Sequence, residues 1–183
     1  WSSDVCSSDL TLIHWLLAVA AAAAVTFFSL GLTLYFERTP RQPGVLAVHH
    51  ASLVLVLLQL AGVLLLPPRS DAFAAAGIAM YAGSILIYLS AIEAAKRTRL
   101  QRSFVDHPLP ERLITDGPFR LVRHPFCAGY VIGASAGAVA TADWRLAAIT
   151  APLIAMALLA AFREERVWLD SARADEYRAY QRQ

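Results

Sequence analysis

Charge is what this chain has little of. Of 183 residues only 16% are Asp, Glu, Lys or Arg, 57% are hydrophobic, and the mean hydropathy is +0.50. That balance excludes an ordinary soluble globular domain and reads as an integral membrane protein; the length fits one domain. Cysteine is nearly missing. Cys6 falls in residues 1–10, W-S-S-D-V-C-S-S-D-L, which read as a translated sequencing adapter and are set apart from the fold. Cys127 alone forms no internal disulfide, so cysteine gives no sign of an oxidising compartment. A net charge of +2, with no aromatics interleaved among the basic residues, argues against a nucleic-acid partner. No G-x-G-x-x-G follows a strand, which excludes a Rossmann-type nucleotide site, and no metal is expected.

What is present is apolar and long. Residues 11–36 and 45–66 carry no charge, and 72–95 carry one, Glu93. Each run exceeds the roughly 20 residues that a helix needs to cross a bilayer. Pro40 to Gly44 and Pro67-Pro68-Arg69 punctuate them. Two shorter apolar segments, 126–142 and 146–162, joined by Asp143-Trp144-Arg145, read as a tight helical hairpin, tilted or partly inserted. From Arg163 onward the pattern is a charged, amphipathic helix. The expected fold is all-α: about five transmembrane helices, three long plus the hairpin, followed by a cytoplasmic amphipathic helix. Residues 11–183 are expected to form a single domain, with a three-helix membrane part at 11–95 and a more polar part at 96–183.

Lys and Arg set the orientation. Fourteen fall after the first run, in the third loop and in the tail, which share one side; the other side has Arg69 and Arg145. The positive-inside rule places the third loop and the C-terminus in the cytoplasm, with a bacterial inner membrane as the expected location. The basic cluster from Lys96 to Arg102 reads as the topological anchor beside anionic headgroups, with phosphate recognition as its alternative.

One polar stretch does not fit the role of a solubilising loop. Residues 115–129 read T-D-G-P-F-R-L-V-R-H-P-F-C-A-G. Gly117-Pro118 and His124-Pro125 force extended or turn backbone, and Gly117 and Gly129 permit positive φ or close approach. Such backbone sits at membrane depth only when buried in protein or lining a cavity; a cavity is the sharper reading.

The run G-P-F-R-L-V-R-H-P-F-C-A-G resembles the signature of integral membrane methyltransferases of the isoprenylcysteine carboxyl methyltransferase type, related to the phospholipid N-methyltransferases. Glu164-Glu165, Leu169 and Tyr177-x-x-Tyr180 match the second half of that pattern, so the resemblance covers about residues 113–180. It implies S-adenosylmethionine as methyl donor, wrapped by the R-H-P segment, the hairpin and the E-E helix, with a lipid-side entrance for an apolar acceptor. By that match Gly117, Pro118, Arg123, His124, Pro125, Gly129, Glu164 and Glu165 are the cofactor-binding candidates, and Arg123 and Glu165 the catalytic ones. The partners implied are a lipophilic substrate from the bilayer and the membrane lipids themselves. The sequence departs from the family at Phe119, Leu121 and Cys127, where tyrosines are usual, and at Ala172-Arg173-Ala174, where Phe-Gly is usual. These departures bear on the acceptor and the pocket's shape more than on the cofactor.

The residue types suit the implied chemistry. A carboxylate accepts from a ribose diol or an ammonium, and a guanidinium holds a carboxylate bidentately. Methyl transfer is an in-line displacement dominated by alignment and water exclusion. An acceptor carboxylate needs no base; an amine needs one, with His124 or a glutamate as candidate. Each residue also has a plainer reading. Arg123 is otherwise a topological charge, Glu164 and Glu165 a favourable pair at the positive end of a tail helix, and Cys127 a packing residue. Neighbours on a helix diverge, so one of the two acids is expected to face the site. Glu93 is either functional or paired with Lys96 or Arg97. His49 and His50 read as interface residues, His14 as a partner of Trp15, Gly129, Gly133 and Gly137 as a small-residue packing stripe, and Tyr81 and Tyr88 as packing or a substrate groove. Two rival functions stand beside the methyltransferase: an NADPH-dependent membrane reductase of steroid-reductase type, and a non-catalytic small membrane subunit such as a haem-binding protein.

Overall fold

The computed structural model describes residues 3–36, 43–96 and 113–182, with backbone alone at 3–11, 43 and 45. Every element in it is helical: α1 Ser3–Leu34, α2 Pro43–Leu65, α3 Asp71–Ala95, a 3₁₀ turn Gly117–Arg120, α4 Pro125–Thr141, α5 Trp144–Leu169 and α6 Ala174–Gln181. Local chemistry sets their ends. Pro43 and Pro125 open α2 and α4, the position where a missing N–H costs nothing. Ser70 caps α3 by accepting from the Phe73 N–H at 3.5 Å. Asp143 caps α5 through Arg145 N at 2.8 Å. Arg145's hydrogen bonds hold that carboxyl down at about 2. α4 stops where Ala142 turns left-handed, φ 50°.

Four helices are long and apolar enough to cross a membrane: α1 over Leu12–Leu34, α2 over Leu46–Leu65, α3 and α5; α4 is a shorter apolar helix. Here the expected hairpin needs correction. Its second arm is 26 residues rather than 17, because α5 runs without a break through Arg163, Glu164 and Glu165 to Leu169. The acids therefore sit on a membrane helix, about one turn from its negative end. The dipole reading fails there, since the carboxylates get no help from that end of the helix. The tail helix is the separate, eight-residue α6.

The bundle packs closely. α3 lies against α1 and α4, α4 against α5, and α2 against α1, α4 and α5. Leu17, Ala21, Ala24, Val63, Tyr81, Ala136, Ala140 and Leu146 form the core. In lipid, helices gain from intimate packing and hydrogen bonds rather than from leaving water. At Gly137 a Cβ would fall 2.7 Å from Val63 Cγ2, so the glycine stripe is a packing device. Gln59 Nε2 donates to Ala134 O and to Thr150 Oγ1 (2.9 Å), joining α2, α4 and α5. Large side chains such as Leu57, Leu58 and Leu159 face outward, about half exposed, as lipid contact requires.

One histidine expectation changes. His14 Nε2 bonds to the Val63 carbonyl at 2.8 Å rather than pairing with Trp15, which is exposed. His50, exposed near the start of α2, bonds through Nδ1 to Leu46 O one turn away. Tyr81 and Tyr88 are buried; Tyr88 packs among Phe28, Phe126 and Tyr130. Glu93 pairs with Lys96.

One end of the bundle collects the polar chemistry. Phe36, after α1, packs on Phe126 at the start of α4, ring centroids 5.3 Å apart. The 3₁₀ turn packs on α3, and α6 folds back onto α5. At the opposite end Arg69 N donates to Ala140 O (3.0 Å) beside the Asp143–Arg145 pair. Arg38, Arg41 and the basic residues Arg97, Arg99, Arg102 and Arg112 lie outside the described residues.

Candidate active site

The R-H-P turn is built by its prolines. Pro118 closes the 3₁₀ turn, its carbonyl accepting from Leu121 N and Val122 N, both at 3.0 Å. Gly117 enters that turn at φ +59°, a conformation that L side chains rarely adopt. Pro125, fully buried, starts α4 and leaves His124 as an N-cap with extended φ and no capping bond from its side chain. Arg123 and His124 thereby project from a fixed corner instead of running on into the helix.

What they meet is the acid pair of α5. Arg123 Nη1 lies 3.0 Å from Glu165 Oε1, and His124 Nε2 lies 3.1 Å from the same oxygen. His124 Nδ1 lies 3.5 Å from Glu164 Oε2. The expectation that one acid alone faces the site is corrected: the imidazole uses both ring nitrogens and bridges the two carboxylates. Gln181 Nε2, from α6, donates to Glu165 Oε2 at 3.4 Å.

Exposure ranks these contacts. Arg123 is 46% exposed, so its arm is worth no more than about 1 kcal/mol. His124 and Glu165 are 17% and 20% exposed, and their contact is the stronger hold. Burial alone would lower the imidazole pKa. Hydrogen bonds and charge from Glu164, then from Glu165, outweigh it and raise His124 above its ordinary 6.5.

α6 closes over this cluster. Tyr180 donates to Phe119 O at 2.5 Å, tying α6 to the 3₁₀ turn. Tyr177 stacks on Trp168, centroids 5.7 Å apart, and Arg173 lies over the Trp168 ring at 5.4 Å. The Tyr177 hydroxyl is buried and has no hydrogen-bond partner among the described residues. Burial first, then the charges of Glu165 and Glu164, push it well above the usual phenol range, so it remains a protonated donor.

The structure thus unites Arg123, His124, Glu164 and Glu165. Pro118 and Pro125 frame the corner. Gly117 packs toward Ala94 of α3, and Gly129 faces Ser84 O of the same helix rather than the charged cluster. The charged groups touch directly, and a hollow of about 500 Å³ lies along Leu159, Phe162, Arg163 and Arg166. Sequence reasoning missed Gln181, which stands four residues after Tyr177 on the same face of α6, and Trp168, three after Glu165.

Apolar helices with a charged clasp at one end define an integral membrane protein whose polar work is done at a bilayer face. A family model, phospholipid methyltransferase, matches residues 72–172. The chain belongs to this family of membrane methyltransferases. The match takes in α3, the R-H-P motif and Glu164-Glu165 with Leu169, and ends before Tyr177-x-x-Tyr180; it reaches further toward the N-terminus than the motif resemblance does. Comparison with curated proteins and with solved structures gave no match.

Proposed function

We propose that this protein transfers a methyl group from S-adenosylmethionine to a lipophilic acceptor at the cytoplasmic face of the membrane. The acceptor is an isoprenylcysteine-like carboxylate, a lipid or another small amphipathic molecule. The observation that carries this reading is the convergence of Arg123 and His124 on Glu164 and Glu165, with His124 standing 41 positions before Glu165 in sequence, within a methyltransferase family.

The donor set fits the cofactor. Two carboxylates facing one guanidinium and one imidazole complement a ligand that carries its own ammonium, carboxylate and ribose diol. When bound, the sulfonium supplies the methyl group and leaves as a neutral thioether. Glu165, the more buried acid, accepts from the ligand's ammonium or diol and fixes its position. Arg123 holds the ligand carboxylate, and His124 keeps Glu164 and Glu165 in register. Gly117, Pro118, Pro125 and Gly129 set the backbone that brings the corner close, and Arg123 and Glu165 stand nearest the chemistry. Closure by α6 excludes water, which is most of what such a displacement asks of a protein.

The acceptor arrives laterally from the bilayer. α4 completes a five-helix arrangement; its 17 residues reach about 26 Å against a hydrocarbon core of about 30 Å, a shortfall that local thinning accommodates. The basic loop and the tail hold the site end in the cytoplasm. The family match lends no support to a reductase. The haem reading also gains nothing, as His14 is committed to Val63 O and His50 to Leu46 O.

The test is a methylation assay with labelled S-adenosylmethionine, purified protein and total lipid extract, followed by mass spectrometry of the product. A labelled, lipid-soluble product is expected. Absence of any transfer by folded protein, across lipid and prenylated-cysteine acceptors, would count against the reading.

A further inference from the structure

Tyr177 presents a puzzle of economy. Its ring is 2% exposed and stacks on Trp168, work that phenylalanine does equally well. Its hydroxyl is buried and meets no acceptor at full hydrogen-bond geometry among the described residues, a state that costs stability and that a phenylalanine would avoid. The donor lies close enough to Glu165 to interact with its carboxylate; among the described residues Oε1 accepts from Arg123 and His124, and Oε2 from Gln181 at 3.4 Å. A carboxylate oxygen accepts two hydrogen bonds, so Oε2 can take a second donor.

We propose that Tyr177 is a positioning residue of the cofactor site: when a bound ligand's carboxylate draws Arg123 off Glu165, the Tyr177 hydroxyl donates to Glu165 in its place. The inference rests on the S-adenosylmethionine reading above. It gives the buried hydroxyl beside Glu165 a role that a phenylalanine could not fill. Glu165 loses its guanidinium partner at the moment it must face the ligand's cationic head, and a second donor keeps its orientation. α6 supplies that donor, and the bond from Tyr180 to Phe119 O holds α6 over the cluster.

Y177F in lipid nanodiscs tests this with two readouts, unfolding of the ligand-free protein and the Kd for S-adenosylmethionine. The ligand-free midpoint should stay level or rise, while the Kd weakens about tenfold, the value of one hydrogen bond to a charged group. In an E165Q background the same substitution should change the Kd little, because the hydroxyl acts through that carboxylate. An unchanged Kd in Y177F overturns the proposal, as does a weaker Kd accompanied by a lowered ligand-free midpoint, which marks a structural hydroxyl. Meta-fluorotyrosine at position 177 gives an independent check on the otherwise unaltered chain: its fluorine resonance should shift on saturation with S-adenosylmethionine, and a fixed resonance contradicts the proposal. Wild-type protein that binds no S-adenosylmethionine overturns both this inference and the reading beneath it. Wild-type binding with equal binding by Y177F overturns this inference alone.

Discussion

At the residue scale the candidate site is a set of charges that satisfy one another. His124 shows this most directly. Its folded pKa is raised above 6.5 by Glu164 and Glu165, so its contribution to stability is complete below the unfolded value. That contribution is lost as pH rises through the folded value. The thermal midpoint of the wild type should therefore fall as pH rises above about 6.5, and H124Q should flatten that dependence; identical slopes would show that the imidazole is not the group responsible. The R-H-P and E-E residues were legible in sequence because each motif is local and marked by proline or by paired acids. That both acids reach one imidazole was not. The 100° divergence of helix neighbours speaks against it, and it takes the bridging geometry of a two-nitrogen ring to allow it. Tyr177's buried hydroxyl was equally hidden, since it depends on α6 folding back onto α5.

At the element scale, caps and prolines did most of the work. The starts of α3, α4 and α5 fall where Ser70, Pro125 and Asp143 place them. The end of α5 is the exception. Hydropathy drops at Arg163, yet a change of polarity does not end a helix, and no glycine or proline stands between Arg163 and Leu169. The consequence is functional, because a continuous α5 carries the acids rigidly from the bundle to the R-H-P corner. α6, by contrast, is held by few contacts. Y180F removes its bond to Phe119 O and should speed amide exchange over residues 174–182 by about tenfold, while leaving the global unfolding midpoint near the wild-type value. Hydrogen-exchange mass spectrometry reads both. In the bundle, G137V forces a branched side chain against Val63 and should cost about 1–3 kcal/mol, seen as a lower midpoint in detergent without selective loss of ligand affinity.

At the scale of the whole molecule, the described helices put the end of α1, the end of α3, the start of α4 and the end of α5 at one pole. Charge counting assigns the flanking loops to one side, and the packing of Phe36 on Phe126 and of the 3₁₀ turn on α3 agrees with that grouping. The composition made the membrane class plain, since four helices are apolar along their whole crossing length. The expectation that the site pole faces the cytoplasm rests on the fourteen basic residues that charge counting assigns to one side. A fluorescent reporter fused to the C-terminus should therefore light up in a bacterial host, and a periplasm-dependent reporter should stay silent; the reverse pattern would invert the topology and separate the site from soluble cofactor.

The clasp itself is tested by equilibrium binding of labelled S-adenosylmethionine to purified protein in nanodiscs, wild type beside E165Q and R123A. Saturable binding by the wild type, weakened at least tenfold in both variants while their folds remain intact, is the predicted result. Folded wild-type protein that binds no S-adenosylmethionine, or binds it no better than E165Q and R123A do, would contradict the account.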